Sequence, residues 1–168
     1  MACIKDNENF PIPIYNEEYD CDVLRSDVIR IIPDKVYKFI ITLETTNGEY
    51  KLIPTITLPE KKGYMKTKQA DGLYMLSPML SSTHSVCEIE LLSELGCIDI
   101  SYHCEAYDHR NKAFWGSSKL FRPLGMKKEI VSPNKVRYYC TDLHSDSFEQ
   151  MVFTTEWMEI YSKAKEIR

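Results

Sequence analysis

Two stretches of the chain alternate hydrophobic and polar residues with the period of two that a half-buried β-strand requires. The first covers residues 36–44 and the second covers residues 98–106. A polar segment, residues 108–112, follows the second stretch, and residues 113–121 are predicted to run back beside it. Residues 97–121 therefore predict a β-hairpin.

Turn residues separate several shorter candidate strands. Asn47 and Gly48 favour a tight turn, which predicts that residues 49–53 pair with residues 36–44. Further strands are predicted at 73–76, 87–92 and 136–140, and the rest of residues 60–85 resembles a loop.

The periodicity changes near the C-terminal end. Hydrophobic residues recur there at spacings of three and four, the stripe of an amphipathic helix. Thr154 or Thr155 would cap its amino end. We expect a helical segment over residues 145–167 that docks on its own domain rather than on a second copy, which favours a monomer. The stripe consists of Trp157, Ile160, Tyr161, Ala164 and Ile167.

Short strands without alternating long helices favour a mainly β fold. We predict one domain over residues 1–168, a two-sheet antiparallel β-sandwich of immunoglobulin-like or similar type with a C-terminal amphipathic helix. Residues 1–27 would form an extended arm or edge strand, and residues 28–141 the sandwich.

Composition narrows the setting of this domain. A net charge of −4 lacks the positive excess of duplex-binding proteins, so nucleic acid is not favoured as a partner. No stretch reaches the roughly 20 apolar residues that span a bilayer. The six cysteines form no CxxC pair, which predicts buried free thiols and a cytoplasmic, or else nuclear, location. They are Cys3, Cys21, Cys87, Cys97, Cys104 and Cys140.

No catalytic motif stands out. The six glycines are dispersed, which leaves no phosphate-binding or dinucleotide-binding loop, and no GxSxG motif occurs. His103 and Cys104 are adjacent on a predicted strand, so their side chains point to opposite faces. We predict that the chain is not an enzyme and needs no cofactor.

Two Cys/His pairs have spacings found among zinc ligands. His84 and Cys87 are separated by two residues, and Cys140 and His144 by three. Isolated pairs of this kind also arise by chance, so a small zinc-stabilised protein is an alternative that we do not favour.

The aromatic pair Phe114 and Trp115 follows the polar tip of the predicted hairpin. On an alternating strand at least one of the two rings faces away from the core, and exposed aromatic rings beside loops commonly anchor partners. The alternative places Trp115 between the sheets and Phe114 under the terminal helix. We predict a non-enzymatic module for protein-protein interaction that binds through Phe114, Trp115, His109, Arg110 and Lys112.

Two stretches resemble the cannabinoid-receptor-interacting protein family, β-sandwich proteins similar to Rho guanine-nucleotide dissociation inhibitors. In residues 25–44, Val28-Ile29-Arg30-Ile31-Ile32 leads through a polar turn into an alternating strand. In residues 95–117, Gly96 precedes a strand that ends in Tyr107, His109 and Arg110 and is followed by Trp115-Gly116-Ser117. The resemblance implies a cytosolic, non-enzymatic protein that binds a receptor tail or a lipid-like group between its sheets.

A second interpretation follows from the frequent Ile, Lys, Tyr and Asn residues. That usage is typical of AT-rich genomes and suggests a viral or parasite protein that docks on a host factor, as in immune evasion.

Overall fold

The computed structural model describes residues 14–16, 21–24, 26–46, 51–108, 113–116, 125–141 and 150–160 of the 168-residue chain. These residues hold one short 3-10 helix, Pro59–Lys61, and thirteen strands. The strands are β1 (Ile14–Asn16), β2 (Cys21–Val23), β3 (Asp27–Arg30), β4 (Val36–Thr46), β5 (Lys51–Thr57), β6 (Gly63–Lys66), β7 (Met75–Leu76), β8 (Val86–Ser93), β9 (Cys97–Asp108), β10 (Ala113–Gly116), β11 (Met126–Ser132), β12 (Lys135–Cys140) and β13 (Met151–Glu159).

The strands form two large antiparallel sheets and a small one. The six-stranded sheet has the order β11-β12-β13-β4-β8-β6. The five-stranded sheet has the order β10-β9-β5-β7, and β3 also pairs with β9. The arm predicted over residues 1–27 contains the two-stranded ladder of β1 and β2.

Alternation of side chains explains how β4 packs. Tyr37, Phe39, Ile41 and Leu43 are buried, and the residues between them are at least partly exposed. A strand with this pattern places one face on the core and the other toward water. The strand predicted over residues 36–44 is thereby confirmed.

The core lies between the two large sheets. Phe39 and Phe153 of the six-stranded sheet and Ile56 and Ile100 of the five-stranded sheet are completely buried in one cluster. The predicted mainly β fold is confirmed, and a two-sheet sandwich fits this arrangement.

The predicted C-terminal helix is wrong. Residues 151–159 form β13, which lies between β12 and β4 inside the six-stranded sheet. The helical spacing starts only at Trp157, whereas Val152, Phe153, Thr154 and Thr155 before it are strand-forming residues. The two threonines expected to cap a helix are buried within the strand. The remainder of the predicted stripe, after Ile160, lies outside the described residues.

Trp157 has a different neighbour from the one expected. Its ring stacks on Phe39 of β4 with a centroid distance of 5.8 Å and an angle of 14° between the planes. The ring therefore packs across a strand pair on the core side rather than on one face of a helix.

The predicted hairpin between residues 36–44 and 49–53 is also wrong. A strand does follow the turn, but β5 belongs to the five-stranded sheet, whereas β4 pairs with β8 and β13. β4 ends at Thr46 in the six-stranded sheet, and β5 begins at Lys51 in the five-stranded sheet. Turn residues mark where a strand ends but do not identify its partner.

The other strand predictions are confirmed with small changes. β9 and β10 pair as the hairpin expected over residues 97–121, and β7, β8 and β12 cover most of the three shorter predicted strands. Residues 60–85 additionally contain β6. β11 was not predicted, because its residues are nearly all exposed and show no alternation.

The cysteines differ from the prediction of free thiols. Cys87 and Cys140 are free, but Cys97, which is buried, forms a disulfide. Disulfides persist mainly in oxidising compartments, so the cysteine pattern no longer supports a cytoplasmic location. Among the described residues, no helix combines the length and the hydropathy needed to cross a bilayer.

Candidate partner-binding surface

A trough with a volume of about 1000 Å³ runs along one open side of the sandwich. One wall is β8 over residues 86–90, the other is the segment 76–80, and the turn 66–70 closes one end. Because β7 belongs to one sheet and β8 to the other, the connecting segment crosses between the sheets here. The trough thus lies where the two sheets are not joined by hydrogen bonds.

Hydrophobic side chains line the trough and are exposed at its rim. Met79 exposes 59% of its surface and Val86 exposes 53%. Deeper in the trough, Leu76, Leu80 and Cys87 are partly buried and pack against the core. Exposed apolar groups that continue into the core are typical of binding surfaces, and methionine adapts its shape to different partners.

Charged side chains stand at the closed end of the trough. Lys38 of β4 forms an ion pair with Glu88 of β8 at 3.4 Å. Lys66 and Lys68 are exposed, and neither forms an ion pair with any other described residue. Glu90, opposite Lys66, also lines the trough, so its lining carries three lysines against two glutamates and has a small positive excess on a chain of net negative charge.

Hydrogen bonds hold the wall formed by residues 76–80. Leu76 pairs with Ile56 of β5. The hydroxyl oxygen of Ser77 lies 3.0 Å from that of Thr55, which lies 3.2 Å from Nδ1 of His103. The wall is thereby fixed to the five-stranded sheet, while the facing wall belongs to the six-stranded sheet.

A similar set of bonds fixes the turn at the closed end. The amides of Gln69 and Ala70 donate to the hydroxyl oxygen of Thr67 at 3.2 Å, and the Thr67 amide donates to the Ala70 carbonyl at 2.8 Å. Such side-chain bonds to the backbone stabilise short turns. The trough therefore has a preformed end.

Cys87 is the thiol that lies in the trough. Burial raises its pKa, and the negative charge of Glu88 raises it further. A thiol with a raised pKa is less often the reactive thiolate. This environment does not resemble that of a nucleophilic cysteine.

The structure brings together one of the two Cys/His pairs considered as zinc ligands. His84 and Cys87 both line the trough, whereas Cys140 is completely buried in β12. Two strands, β13 and β4, lie between β12 and β8, so about 14 Å separates the two cysteine-bearing strands. His144 lies outside the described residues. No group of three or more His, Cys, Asp or Glu residues suited to a metal ion occurs in the described part of the chain.

The partner-binding residues expected in the hairpin are only partly described. Phe114 and Trp115 belong to β10, opposite Tyr107 and Ala106 of β9. Their side chains lie outside the described part of the structure, as do residues 109–112. In the five-stranded sheet, β10 and β7 are at opposite ends of the strand order, so the hairpin and the trough are separate surfaces.

Sequence reasoning missed the trough, because most of its residues lie within residues 60–85, which were interpreted mainly as a loop. One signal was present: Met75, Met79, Leu80 and Val86 are large apolar residues within a segment rich in Ser and Thr. A solvated loop rarely holds so many. The chain matches no protein-family model and no curated protein sequence.

Proposed function

We propose that this chain is a non-enzymatic binding module that holds part of another protein in the trough between β8 and residues 76–80. The observation that carries the proposal is the rim of exposed apolar side chains, Met79 and Val86, on a preformed concave surface. Partner proteins gain most of their binding energy by filling such apolar sites.

The hairpin of β9 and β10 is the second surface in this proposal. Phe114 and Trp115 stay predicted contacts, with His109, Arg110 and Lys112 at its tip. A partner that used both surfaces would have to pass around the five-stranded sheet, because the trough and the hairpin are at its opposite ends. Single substitutions therefore distinguish the two surfaces.

The test compares proteins captured from a cell extract by the wild type and by matched variants, followed by affinity measurements with the purified partner. We expect Met79→Ser to weaken binding at least tenfold. Met75→Ser is the control, because Met75 has a similar exposure of 63% but does not line the trough. Phe114→Ala reports on the hairpin.

Two results would contradict the proposal. One is that no purified protein binds the wild type, and the other is that Met79→Ser and Phe114→Ala both bind as tightly as the wild type. A loss with Phe114→Ala alone would move the site to the hairpin.

An apolar small molecule is the second candidate occupant. The trough volume lies in the range of small-molecule sites, and Leu76, Leu80 and Ile89 line it. A fluorescent fatty acid is the probe for this candidate. Saturable binding that Met79→Ser weakens and Met75→Ser does not would support it, and absence of saturable binding would exclude it.

A further inference from the structure

β8 is paired along nearly its whole length on one side and only along half on the other. β4 pairs with residues 86–92 of β8. β6 pairs with residues 90–93, from Lys66 opposite Glu90 to Gly63 opposite Ser93. Among the described residues, no strand lies beside residues 86–89 on the β6 side. This free segment is about 13 Å long at the usual rise of a strand.

The backbone groups that point to the free side belong to Val86 and Glu88. In an antiparallel ladder, alternate residues direct both their N–H and C=O groups to the same side. The Ser85 carbonyl accepts from the Leu43 amide at 2.7 Å, and the Ser93 carbonyl accepts from Asp34 at 3.0 Å. The backbone N–H and C=O groups of odd-numbered residues of β8 therefore point toward β4, and those of even-numbered residues point away from it.

The pairing with β6 agrees with this alternation. The Glu94 amide donates to the Lys62 carbonyl at 3.0 Å, on the β6 side. By the same alternation, the backbone N–H and C=O groups of Glu90 and Leu92 point toward β6. Those of Val86 and Glu88 point into the trough. Two amides and two carbonyls of β8 thus have no partner strand among the residues that the structure describes.

Two other strands with an unpaired side, β5 and β11, carry features that discourage strand pairing. β5 carries Pro54, which has no N–H to offer a neighbouring strand. β11 begins with Met126-Lys127-Lys128, and edge lysines likewise oppose pairing. The free segment of β8 has no proline and no lysine, and its one charged residue, Glu88, is paired with Lys38.

We infer that the free edge of β8 binds an extended segment of a partner protein as an added strand, antiparallel to residues 86–89 and in line with β6. Strand addition gives affinity through backbone bonds and specificity through alternate side chains. Side chains on one face of the segment contact Leu80 and Met79, and an acidic side chain near its beginning lies beside Lys66 and Lys68. The inference rests on the proposed function and specifies its mode of recognition.

A second copy of this chain does not fit the same edge. Only even-numbered residues of β8 face this side, so a symmetric pairing of two copies places Val86 of one copy opposite Glu88 of the other. The same register places His84 of one copy opposite Glu90 of the other. That position is already held by Lys66, which pairs with Glu90. The occupant is therefore a segment of a different protein.

The variant Glu88→Pro tests the inference because the Glu88 amide points away from β4. Proline at this position removes one outward N–H group without removing a bond to β4. Glu88→Thr is the matched control, because it also removes the carboxylate but keeps the N–H. Thermal melting of both variants verifies that the fold is retained.

The probe is a library of random linear decapeptides with acetylated amino ends, selected on the wild-type protein. We expect the selected peptides to carry an acidic residue near the amino end and to bind the wild type and Glu88→Thr with affinities within threefold. Glu88→Pro should weaken them at least tenfold. Methylation of every second backbone nitrogen of a peptide should abolish binding when the methylated residues are those whose N–H groups face β8. Methylation of the other set should leave binding intact.

Equal affinity for Glu88→Pro and Glu88→Thr would overturn the inference, as would a selection that yields no binding peptide. If a purified partner binds in a Met79-dependent way but is insensitive to Glu88→Pro, strand addition fails while the proposed function stands. If a purified partner depends on Phe114 and not on Met79, the site moves to the hairpin and strand addition at β8 fails with the trough. If no partner depends on either residue, the proposed function itself fails.

Discussion

Tyr138 and Asp27 join the two sheets of the sandwich by a hydrogen bond. The phenolic O–H of Tyr138, on β12, donates to Oδ2 of Asp27, on β3, at 2.7 Å, and both residues are buried. Lys128 of β11 binds the other carboxylate oxygen at 3.1 Å. A buried carboxylate is tolerated here because both of its oxygens have partners.

We expect Tyr138→Phe to lower the free energy of unfolding by about 1–3 kcal/mol, since it leaves a buried carboxylate oxygen without its donor. Tyr139→Phe is the control, because the Tyr139 hydroxyl is exposed and 3.4 Å from Glu129. Its effect should stay within about 0.5 kcal/mol. Urea unfolding of both variants measures the difference, and equal losses would mean that the bond contributes nothing specific.

Alkaline pH should destabilise the fold through Tyr138 and Cys140. Burial raises the pKa of both groups well above the ordinary values of 10.0 and 9.0, and Asp27 adds to the shift for Tyr138. Above these ordinary values the unfolded chain releases protons that the folded chain retains, so stability is full below them and falls as the pH rises.

Unfolding free energies measured from pH 7 to pH 11 test this dependence. We expect a decline that starts near pH 9 and is shallower above pH 10 in Tyr138→Phe than in the wild type. The same slope in both proteins would exclude Tyr138 as a contributor.

Cys87 and Cys140, the thiols that are free among the described residues, should differ in reactivity. Cys87 is half-buried in the trough with a pKa raised by burial and by Glu88, whereas Cys140 is completely enclosed. We expect iodoacetamide at pH 8 to modify Cys87 slowly and to leave Cys140 intact until the protein unfolds. Glu88→Gln should accelerate the reaction at Cys87, because it lowers the pKa of that thiol. Mass spectrometry over time gives both rates, and faster labelling of Cys140 would contradict the structure.

Thr155 is a candidate for stabilisation. Its hydroxyl oxygen is buried and has no hydrogen-bond partner in the described part of the chain. Thr155→Val removes this unpaired group, and we expect a gain of about 1 kcal/mol in unfolding free energy. Thr42→Val, at a partly exposed position of the neighbouring strand, should change stability by less than about 0.5 kcal/mol. A loss of stability in Thr155→Val larger than in Thr42→Val would show that the hydroxyl is satisfied.

Strands with one buried face could be predicted from the sequence. In β12, and in β4 up to Leu43, every second residue is buried. Hydrophobic residues therefore recur at every second position, which the sequence shows directly. β13 could not be recognised in this way, because its first five residues are all buried. A strand inside a sheet and covered on both faces has no alternation to show.

Pairing and the candidate site depend on contacts that are distant in sequence. The neighbours of β4 are β8 and β13, and no local pattern in residues 36–46 distinguishes them from β5. The trough likewise exists only because β6 ends at Lys66 while β8 starts at Val86. Relative strand lengths across a sheet are not encoded in either strand alone.

Amide hydrogen exchange of the free protein at residues 86–89 tests the central claim most directly. Because odd-numbered residues of β8 bond to β4 and even-numbered residues face the trough, the amides of Cys87 and Ile89 should exchange slowly. Those of Val86 and Glu88 should exchange at least a hundredfold faster. Equally slow exchange at all four amides would show that the edge is already occupied and would contradict the account.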